Sequence, residues 1–202
     1  MRKALGLGAV LLLTGIALAT PGPAALRRSP EFDITGPDQP DLMLSSFKGK
    51  VVVMEFLFVR SQHCLRIAQT LNKLNAELGS RGFQPVAIVF DPPTGSTAGP
   101  NILGFLRNYL SLTYPVGYAS KEAVDAYLGR APGQTLSIPQ VVVIDRGGTI
   151  RATSGGKGGN LTLEDESLLR GLVEQLLQED TPVSNTGPLP GSEHSDPLTS
   201  KR

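Results

Sequence analysis

Residues 51–78 read VVVMEFLFVRSQHCLRIAQTLNKLNAEL, and this stretch decides the fold. The run over 51–59 is almost entirely apolar, which is typical of a strand that is buried on both faces. Over 62–78 the apolar residues recur at helical spacing, and Gly79 follows as a C-terminal stop. The stretch therefore predicts a central strand, then a short polar step, then a helix.

The only cysteine of the chain, Cys64, lies where this helix begins. Helical periodicity places it within an apolar stripe, so its side chain should face the sheet. The stripe consists of Ile67, Ala68, Leu71, Leu74, Asn75 and Leu78. A helix N-terminus lowers the pKa of a thiol whereas apolar burial raises it. We favour a poorly accessible thiol over a reactive one, because free cysteines are among the most buried residues.

The segments around this unit alternate between strand-like and helix-like patterns. They predict short strands at 32–35 and 41–44, a buried strand at 85–90, helices at 101–110 and 121–128, an extended piece at 114–117, and a hairpin of strands 140–145 and 149–153. Thr162 and Asp165 form a capping box for a last helix, whose predicted apolar face consists of Leu168, Leu169, Leu172, Val173, Leu176 and Leu177. Strands separated by helices predict a three-layer α/β sandwich.

The composition excludes some classes of function. With 202 residues, 40% of them hydrophobic, the chain can form the core of one ordinary globular domain. Lys and Arg total 19 against 18 Asp and Glu, and there is no basic block. The long-range positive field that gathers nucleic acid is therefore missing, and we expect no nucleic-acid partner.

The N-terminus differs in character from the middle of the chain. Arg2 and Lys3 precede an uncharged apolar run, and residues 17–19 read ALA, the small-x-small pattern of a cleavage site. Residues 1–19 are therefore predicted to be a signal peptide, with a retained membrane anchor that tethers the protein as the alternative. In either case the domain is exported, and we expect it to be periplasmic or secreted.

The remaining boundaries follow from composition. Residues 20–30 are predicted to be a linker, 31–180 the folded domain, and 181–202 a disordered tail rich in Pro, Ser and Gly. His194 lies in this tail with no nearby Cys or second His, so we expect it to be solvated. We expect no bound metal and no cofactor. A single cysteine also excludes an internal disulfide.

Three stretches of the sequence together resemble a known family. They are FDITGPDQPDLMLSSFKGKVVVMEFLF from residue 32, SQHC at 61–64, and IPQVVVIDRGGTI from residue 138. Their order and spacing are similar to those of extracytoplasmic thioredoxin-like proteins of the TlpA/ResA type, within the wider AhpC/TSA redoxin group. The resemblance covers about 31–178. It implies a thioredoxin-like fold, a mixed central sheet flanked by helices with an N-terminal β extension, and thiol-disulfide exchange with protein thiols or disulfides.

The sequence departs from this family at the first cysteine of the C-x-x-C motif. Family members begin the motif with the nucleophilic cysteine, usually after a tryptophan, whereas here Ser61 follows Arg60 and only Cys64 remains. A serine hydroxyl has a far higher pKa than a thiol and forms no mixed disulfide, so the ordinary dithiol cycle cannot run. A natural variant and a deliberate cysteine-to-serine replacement would share this sequence.

Ser61 and His63 each have a structural and a functional interpretation. Serine is a preferred helix N-cap, worth about 1 kcal/mol, and we favour that role over a serine nucleophile because no GxSxG motif accompanies it. His63 matches the x-His-Cys form of relatives such as DsbA and the protein disulfide isomerases, which implies an imidazole that helps to stabilise a thiolate. A solvated histidine in the first helical turn is the equal alternative.

Glu55 is a carboxylate inside the apolar strand. Burial there should be costly and should raise its pKa. By resemblance it matches the buried aspartate of thioredoxin, six residues before the first motif position, which implies a proton acceptor for Cys64. The alternative is a carboxylate that reaches water or pairs with Lys48 or Lys50.

The step Ile138-Pro139 directly precedes a predicted buried strand. A proline there removes a ladder donor and favours a bend. Because only a small minority of X-Pro bonds are cis by default, the cis bond expected here rests on the resemblance. The resemblance further implies that the adjacent backbone edge holds an extended peptide segment.

Three functions remain open at this point. The first is an exported thioredoxin-like thiol-disulfide oxidoreductase that is impaired in dithiol exchange, and the second is a non-catalytic module that binds peptides or proteins. The third is a one-Cys, peroxiredoxin-like antioxidant that uses Cys64, since the T-x-x-C step of peroxiredoxins counts onto 61–64. It ranks last, because Leu57 replaces the proline that precedes that step and the peroxide-activating arginine falls near Pro139.

Overall fold

The structure, a computed structural model, describes residues 27–34, 36, 42–90, 106, 108–131, 133–154 and 163–179. The predicted signal peptide, most of the predicted linker and the predicted tail lie outside the described residues. So does Thr162 of the predicted capping box. In the ranges that are described, no helix has the length and apolar character needed to cross a membrane.

Within the described residues, six strands form one mixed sheet. They are β1 (Arg27–Arg28), β2 (Val51–Leu57), β3 (Phe83–Phe90), β4 (Val116–Ala119), β5 (Gln140–Ile144) and β6 (Thr149–Thr153), in the order β1-β6-β5-β2-β3-β4. β2 pairs in parallel with β3 and antiparallel with β5, so it is a central strand, as its apolar run predicts. It ends at Leu57, short of the predicted end at residue 59.

Three helices cover the two faces of this sheet in the described part of the chain: α1 (Gln62–Leu78), α2 (Lys121–Leu128) and α3 (Glu166–Gln178). The bounds of α1 and α2 are those predicted from the sequence. α1 and α3 bury their apolar residues in one core cluster, while Val124 and Tyr127 of α2 belong to a second cluster. The three-layer α/β sandwich is thereby confirmed, and so is the hairpin between β5 and β6.

The stop predicted at Gly79 is confirmed, since Gly79 is the C-cap of α1; it has a right-handed φ of −57° and leads into a 3-10 turn that ends before Gly82, whose φ is 98°. The predicted start of the last helix needs correction. The N-cap of α3 is Asp165, whose side chain accepts from the backbone N–H groups of Ser167 and Leu168. These two bonds satisfy the first free amides of the helix, so the helix starts after the predicted box.

The predicted apolar face of α3 also needs correction. Leu168 is 48% exposed, whereas Leu169, Val173 and Leu176 are buried. The buried residues are spaced i, i+4 and i+7, so they share one side of the helix, and Leu168 is rotated about 100° away from Leu169. The spacing of leucines in the sequence does not distinguish Leu168 from the buried Leu169.

The predicted N-terminal β extension is present: β1 pairs antiparallel with β6, and an antiparallel bridge joins Asp33 to Met43. Leu44 begins a 3-10 helix that ends at Phe47, so the strand predicted at 41–44 stops before Leu44. Elsewhere β3 begins at residue 83 and β4 covers 116–119, each displaced by two residues from its predicted start. Residues 106 and 108–110 of the predicted 101–110 helix are helical.

The two faces of β2 carry different side chains because successive residues of a strand point in opposite directions. Val51, Val53 and Leu57 pack in the cluster under α1 and α3, which we call the α1 face. Val52, Met54 and Phe56 pack in the other cluster, which we call the aromatic face. There Phe56 forms ring contacts with Phe32 and Tyr127, each at a centroid distance of 5.5 Å.

Candidate active-site cleft

The candidate site lies where β2 ends and β5 begins. Antiparallel pairing sets Phe56 opposite Gln140, so the preceding Pro139 lies beside the C-terminal end of β2, from which the chain leads to Ser61. Residues from both sides pack, partly buried, on the same core cluster: Val59, Leu65 and Ile138. The fold therefore brings the 61–64 step and the Ile138-Pro139 step to one edge of the sheet.

Ser61 is the N-cap of α1. Its backbone is extended and its hydroxyl accepts from the backbone N–H of Cys64 at 3.4 Å. The predicted capping role is confirmed. In the resembled family a nucleophilic sulfur occupies this position, and here the hydroxyl is directed to the end of the helix.

Cys64 is a fully buried free cysteine, with an exposure of 0%. It belongs to the cluster under α1, as the helical stripe predicts. Burial raises the pKa of its thiol, and hydrogen bonds from Ser61 and from nearby backbone groups oppose that rise. Glu55 would raise the pKa further only where its carboxyl group is ionised. The group is therefore a neutral thiol at neutral pH, the form that is a poor nucleophile.

Glu55 is buried in the middle of the α1 face, and neither of its carboxylate oxygens has a hydrogen-bond partner. Its neighbours across the sheet are Ala87 and Val141, both apolar. The alternative in which Glu55 reaches water or pairs with Lys48 or Lys50 is therefore wrong. Desolvation raises the pKa of Glu55 well above the usual range of a carboxyl group, so the side chain is held in its protonated form.

Tyr114 is a buried neighbour that sequence reasoning missed. Its hydroxyl donates to the backbone carbonyl of Ala68 at 3.1 Å, in the second turn of α1. Burial raises the pKa of Tyr114 well above its usual value, and Glu55 adds to the rise only once its carboxyl group is ionised. Tyr114, Cys64 and Glu55 are thus three titratable groups in one apolar core. No sequence pattern predicts that Tyr114, which lies far along the chain from the 61–64 step, packs near Glu55 of β2.

His63 lies on the outside of α1, with 62% of its side chain exposed. Its Nδ1 atom is 3.4 Å from Oε2 of Glu164, which precedes α3. The imidazole therefore has a carboxylate partner at the surface, in agreement with the solvated alternative for this histidine. Glu164 was not singled out from the sequence, because it lies about a hundred residues from its partner.

The peptide bond between Ile138 and Pro139 is cis, as the resemblance implies. Pro139 is buried, Ile138 is half-buried and Ser137 is exposed. The hydroxyl of Ser154, just after β6, accepts from the backbone N–H of Val141 at 2.6 Å and lies 3.5 Å from the carbonyl oxygen of Pro139. Ser154 therefore fixes the backbone on the inner side of the proline. On the other side Ser137 is exposed, and its carbonyl oxygen accepts from Nε2 of Gln140 at 2.7 Å.

The cleft offers no metal-binding cluster in the part of the chain that the structure describes, where no three His, Cys, Asp or Glu side chains converge. Its chemistry is that of one shielded thiol, one protonated carboxyl group and an exposed backbone edge beside a cis-proline. The residues beside the cis-proline could hold an extended peptide chain. The cleft has no second sulfur with which Cys64 could complete a disulfide exchange.

A parallel strand pair, an antiparallel β5, a helix that begins at the second motif position and a cis-proline at the same edge together define a thioredoxin-like fold. Solved structures support this assignment at low sequence identity. A thioredoxin-family thiol:disulfide interchange protein from Chlorobium tepidum matches with a TM-score of 0.60 and 23% identity, over 76% of this chain and 98% of that one.

Two further structures show the same fold. The thioredoxin domain of a thiol-disulfide oxidoreductase from Bacteroides vulgatus has a TM-score of 0.55 at 16% identity, covering 73% of this chain and 96% of its own. A thiol:disulfide interchange protein from a Bacteroides species has a TM-score of 0.56 at 16% identity, covering 75% and 91%. A comparison with curated protein sequences finds no match.

Residues 26–153 match the model of the AhpC/TSA family. This range is more than half of the 202 residues. The chain belongs to the AhpC/TSA family and is a thioredoxin-like redoxin.

Proposed function

We propose that this chain is an exported thioredoxin-like protein that binds extended protein segments at the cis-proline edge and does not complete dithiol exchange. The N-terminal sequence supports export to the periplasm or to the outside of the cell. The observation that carries the proposal is the pairing of an exposed Ser137 and a half-buried Ile138, beside the cis-proline, with a fully buried Cys64. Recognition and sulfur chemistry are thus separated within one cleft.

The proposal assigns a role to each residue of the cleft. Ile138 and the exposed Ser137 present the backbone to which a segment adds, in the manner of strand addition to a sheet edge. Ser61 caps α1 and contributes no sulfur. Glu55 and Cys64 are what remains of a proton-transfer pair, since a protonated carboxyl group beside a neutral thiol has no attacking partner to serve. The relatives named above suggest protein thiols or disulfides as the partners.

The dithiol part of the proposal is tested by restoring the missing sulfur. Insulin reduction is measured with dithiothreitol as the electron donor, for the wild-type full chain and for Ser61→Cys. We expect the wild type to give no more than the uncatalysed rate, and Ser61→Cys to exceed it at least tenfold. A wild-type rate equal to that of Ser61→Cys would contradict the proposal, and Cys64→Ala serves as the thiol-free control.

The binding part is tested without redox chemistry. Carboxymethylated insulin B chain, which has no free thiol and no disulfide, is titrated into isotopically labelled full chain while backbone amide shifts are followed. Saturable shifts at Ser137 and Ile138, unchanged in Cys64→Ala, are expected from binding at the edge. Shifts absent from this edge would contradict a peptide-binding role for it.

The structure gives the peroxidase alternative no support. A peroxidatic cysteine needs a thiolate, yet burial raises the pKa of Cys64. Peroxide consumption that disappears in Cys64→Ala would restore this alternative.

A further inference from the structure

A cavity of about 170 Å³ lies at the other end of the central sheet from the cleft. It is lined by the start of β2, the end of β5 and the turn after it, including Val52, Ile144 and Gly148. β2 has seven residues and rises about 3.3 Å per residue, so about 20 Å separate the two sites. The cavity is smaller than the range of about 300–1,000 Å³ typical of drug-sized ligands. Its size suits a small ion or a single headgroup.

Four cationic side chains line this cavity: Arg28, Lys48, Lys50 and Arg146. None of them forms an ion pair with a carboxylate in the described part of the chain. Elsewhere in the described part of the chain, Lys73, Lys121, Arg130, Arg151 and Arg170 each pair with a carboxylate. The cavity therefore collects positive charge that the fold itself does not neutralise.

The two arginines are held in place by neutral partners. Arg146 donates to the carbonyl oxygens of Gly49 and Arg81, each at 3.0 Å, and to that of Leu177 at 3.4 Å. Arg28 donates to the carbonyl oxygen of Gly147 at 2.9 Å. Carbonyl groups orient a guanidinium without cancelling its charge, so both positive groups are fixed before a ligand arrives.

The two lysines lie on the exposed turn before β2. Lys50 donates to the amide oxygen of Gln84 at 3.0 Å and its ammonium group is 5.8 Å from the centre of the Phe47 ring, both of which are uncharged partners. The side chain of Lys48 is exposed and makes no hydrogen bond to a described residue. Neither ammonium group is neutralised, so both can turn toward a ligand in the cavity, Lys50 by exchanging its bond to Gln84.

The two carboxylates in the lining are already occupied. One oxygen of Glu31 accepts from the backbone N–H groups of Phe32 and Ser45, at 3.1 and 3.0 Å. Asp145 accepts from the backbone N–H of Thr149 at 2.9 Å and from Arg151 at 3.2 Å. Four cations and two anions leave the lining with a net charge of +2. That charge matches a dianion.

We propose that this cavity is a binding site for a phosphate group, either as a free phosphate or as the phosphate monoester headgroup of a lipid. Arginine and lysine are the usual ligands of phosphate oxygens, and the two fixed guanidinium groups with two mobile ammonium groups supply both orientation and reach. The site is independent of the proposed peptide-binding edge, because the two share no residue.

The test uses the labelled full chain and sodium phosphate at constant ionic strength, with chloride as the replaced anion. Saturable amide shifts are expected at Gly49, Gly147 and Gly148. In K48Q/K50Q we expect at least tenfold weaker binding. The matched control is K73Q/K121Q, which removes the same charge from lysines that pair with Glu166 and Asp125 elsewhere on the surface, and it should bind phosphate within twofold of wild type.

Vesicles distinguish the source of the phosphate group. Binding of wild type and K48Q/K50Q is compared on phosphatidylcholine vesicles with and without phosphatidic acid. Loss of phosphatidic-acid-dependent binding in K48Q/K50Q identifies a lipid headgroup as a ligand, whereas phosphate binding without such vesicle binding identifies a soluble anion, and both support the site. The site is contradicted if phosphate shifts do not saturate, or if both double variants weaken binding equally.

Discussion

The two faces of β2 differ sharply although they belong to one strand. On the aromatic face Phe56 is enclosed by the rings of Phe32 and Tyr127. No described side chain of this cluster has a buried polar atom without a hydrogen-bond partner. On the α1 face the neighbouring residue, Glu55, is equally buried but has no partner for either oxygen. One face is packed for stability, and the other keeps a costly group beside Cys64.

The difference between the two faces distinguishes residues that stabilise the fold from a residue, Glu55, that costs stability. A buried carboxyl group without a hydrogen bond lowers the stability of the folded state, since it loses its hydration without compensation. Strongly shifted titratable groups concentrate at functional sites. This supports the proposed role of Glu55 in the cleft, with the aromatic face as structural support.

The largest effect is expected on the aromatic face. Phe56→Ala removes a fully buried ring and should lower the free energy of unfolding by about 3–5 kcal/mol, measured by urea titration. Phe56→Leu retains most of the buried volume and should cost clearly less. If Phe56→Ala were no more destabilising than Phe56→Leu, the aromatic face would not be the main support of the sheet.

The second effect is expected on the α1 face, and it depends on pH. Between the unfolded pKa of about 4.3 and its raised folded pKa, Glu55 holds a proton in the folded state that the unfolded chain has lost. Wild-type stability relative to Glu55→Gln should therefore fall as pH rises through that window, by about 1.4 kcal/mol per pH unit. Below about pH 4.3 the two proteins should be equally stable in this respect.

The control for this experiment is Glu122→Gln on the exposed surface of α2. It removes the same functional group from an exposed position, so a pH dependence seen only in Glu55→Gln is due to the buried position of Glu55. A pH-independent difference for Glu55→Gln would show that Glu55 is charged in the folded protein and that the two faces do not differ as described.

A smaller effect is expected at the inner side of the cis-proline. Ser154→Ala leaves the buried N–H of Val141 without its side-chain acceptor and should cost about 1–3 kcal/mol in urea unfolding. Ser154→Thr keeps a hydroxyl at the same position and should retain most of the stability. Equal stability of Ser154→Ala and wild type would mean that this hydroxyl does not fix the edge.

The sequence predicts the architecture well wherever a pattern has only one structural solution. The apolar run of β2 and the helical stripe of α1 specify both elements and the burial of Cys64. Leu168 and the left-handed turn at Gly82 were not found, because the orientation of a helix face and the exit from a helix depend on tertiary packing.

The candidate site was likewise predicted only where a local sequence pattern marks its residues. Ser61, Cys64, Glu55 and Pro139 are adjacent to local signals, and the fold brings their segments to one region. Tyr114, Glu164 and Ser154 reach the cleft only through contacts between distant parts of the chain, and the basic cavity combines three separate segments. Long-range juxtapositions of this kind leave no periodic trace in the sequence.

The most direct test of the account is the reactivity of Cys64 in the native full chain. A thiol probe is applied at pH 7 to folded protein and to protein unfolded in guanidinium chloride. We expect labelling of the folded protein to be slower by on the order of a hundredfold or more, because the thiol is neutral and reacts only when the structure opens. Native labelling as fast as that of a small-molecule thiol would contradict the shielded cysteine on which the proposed function depends.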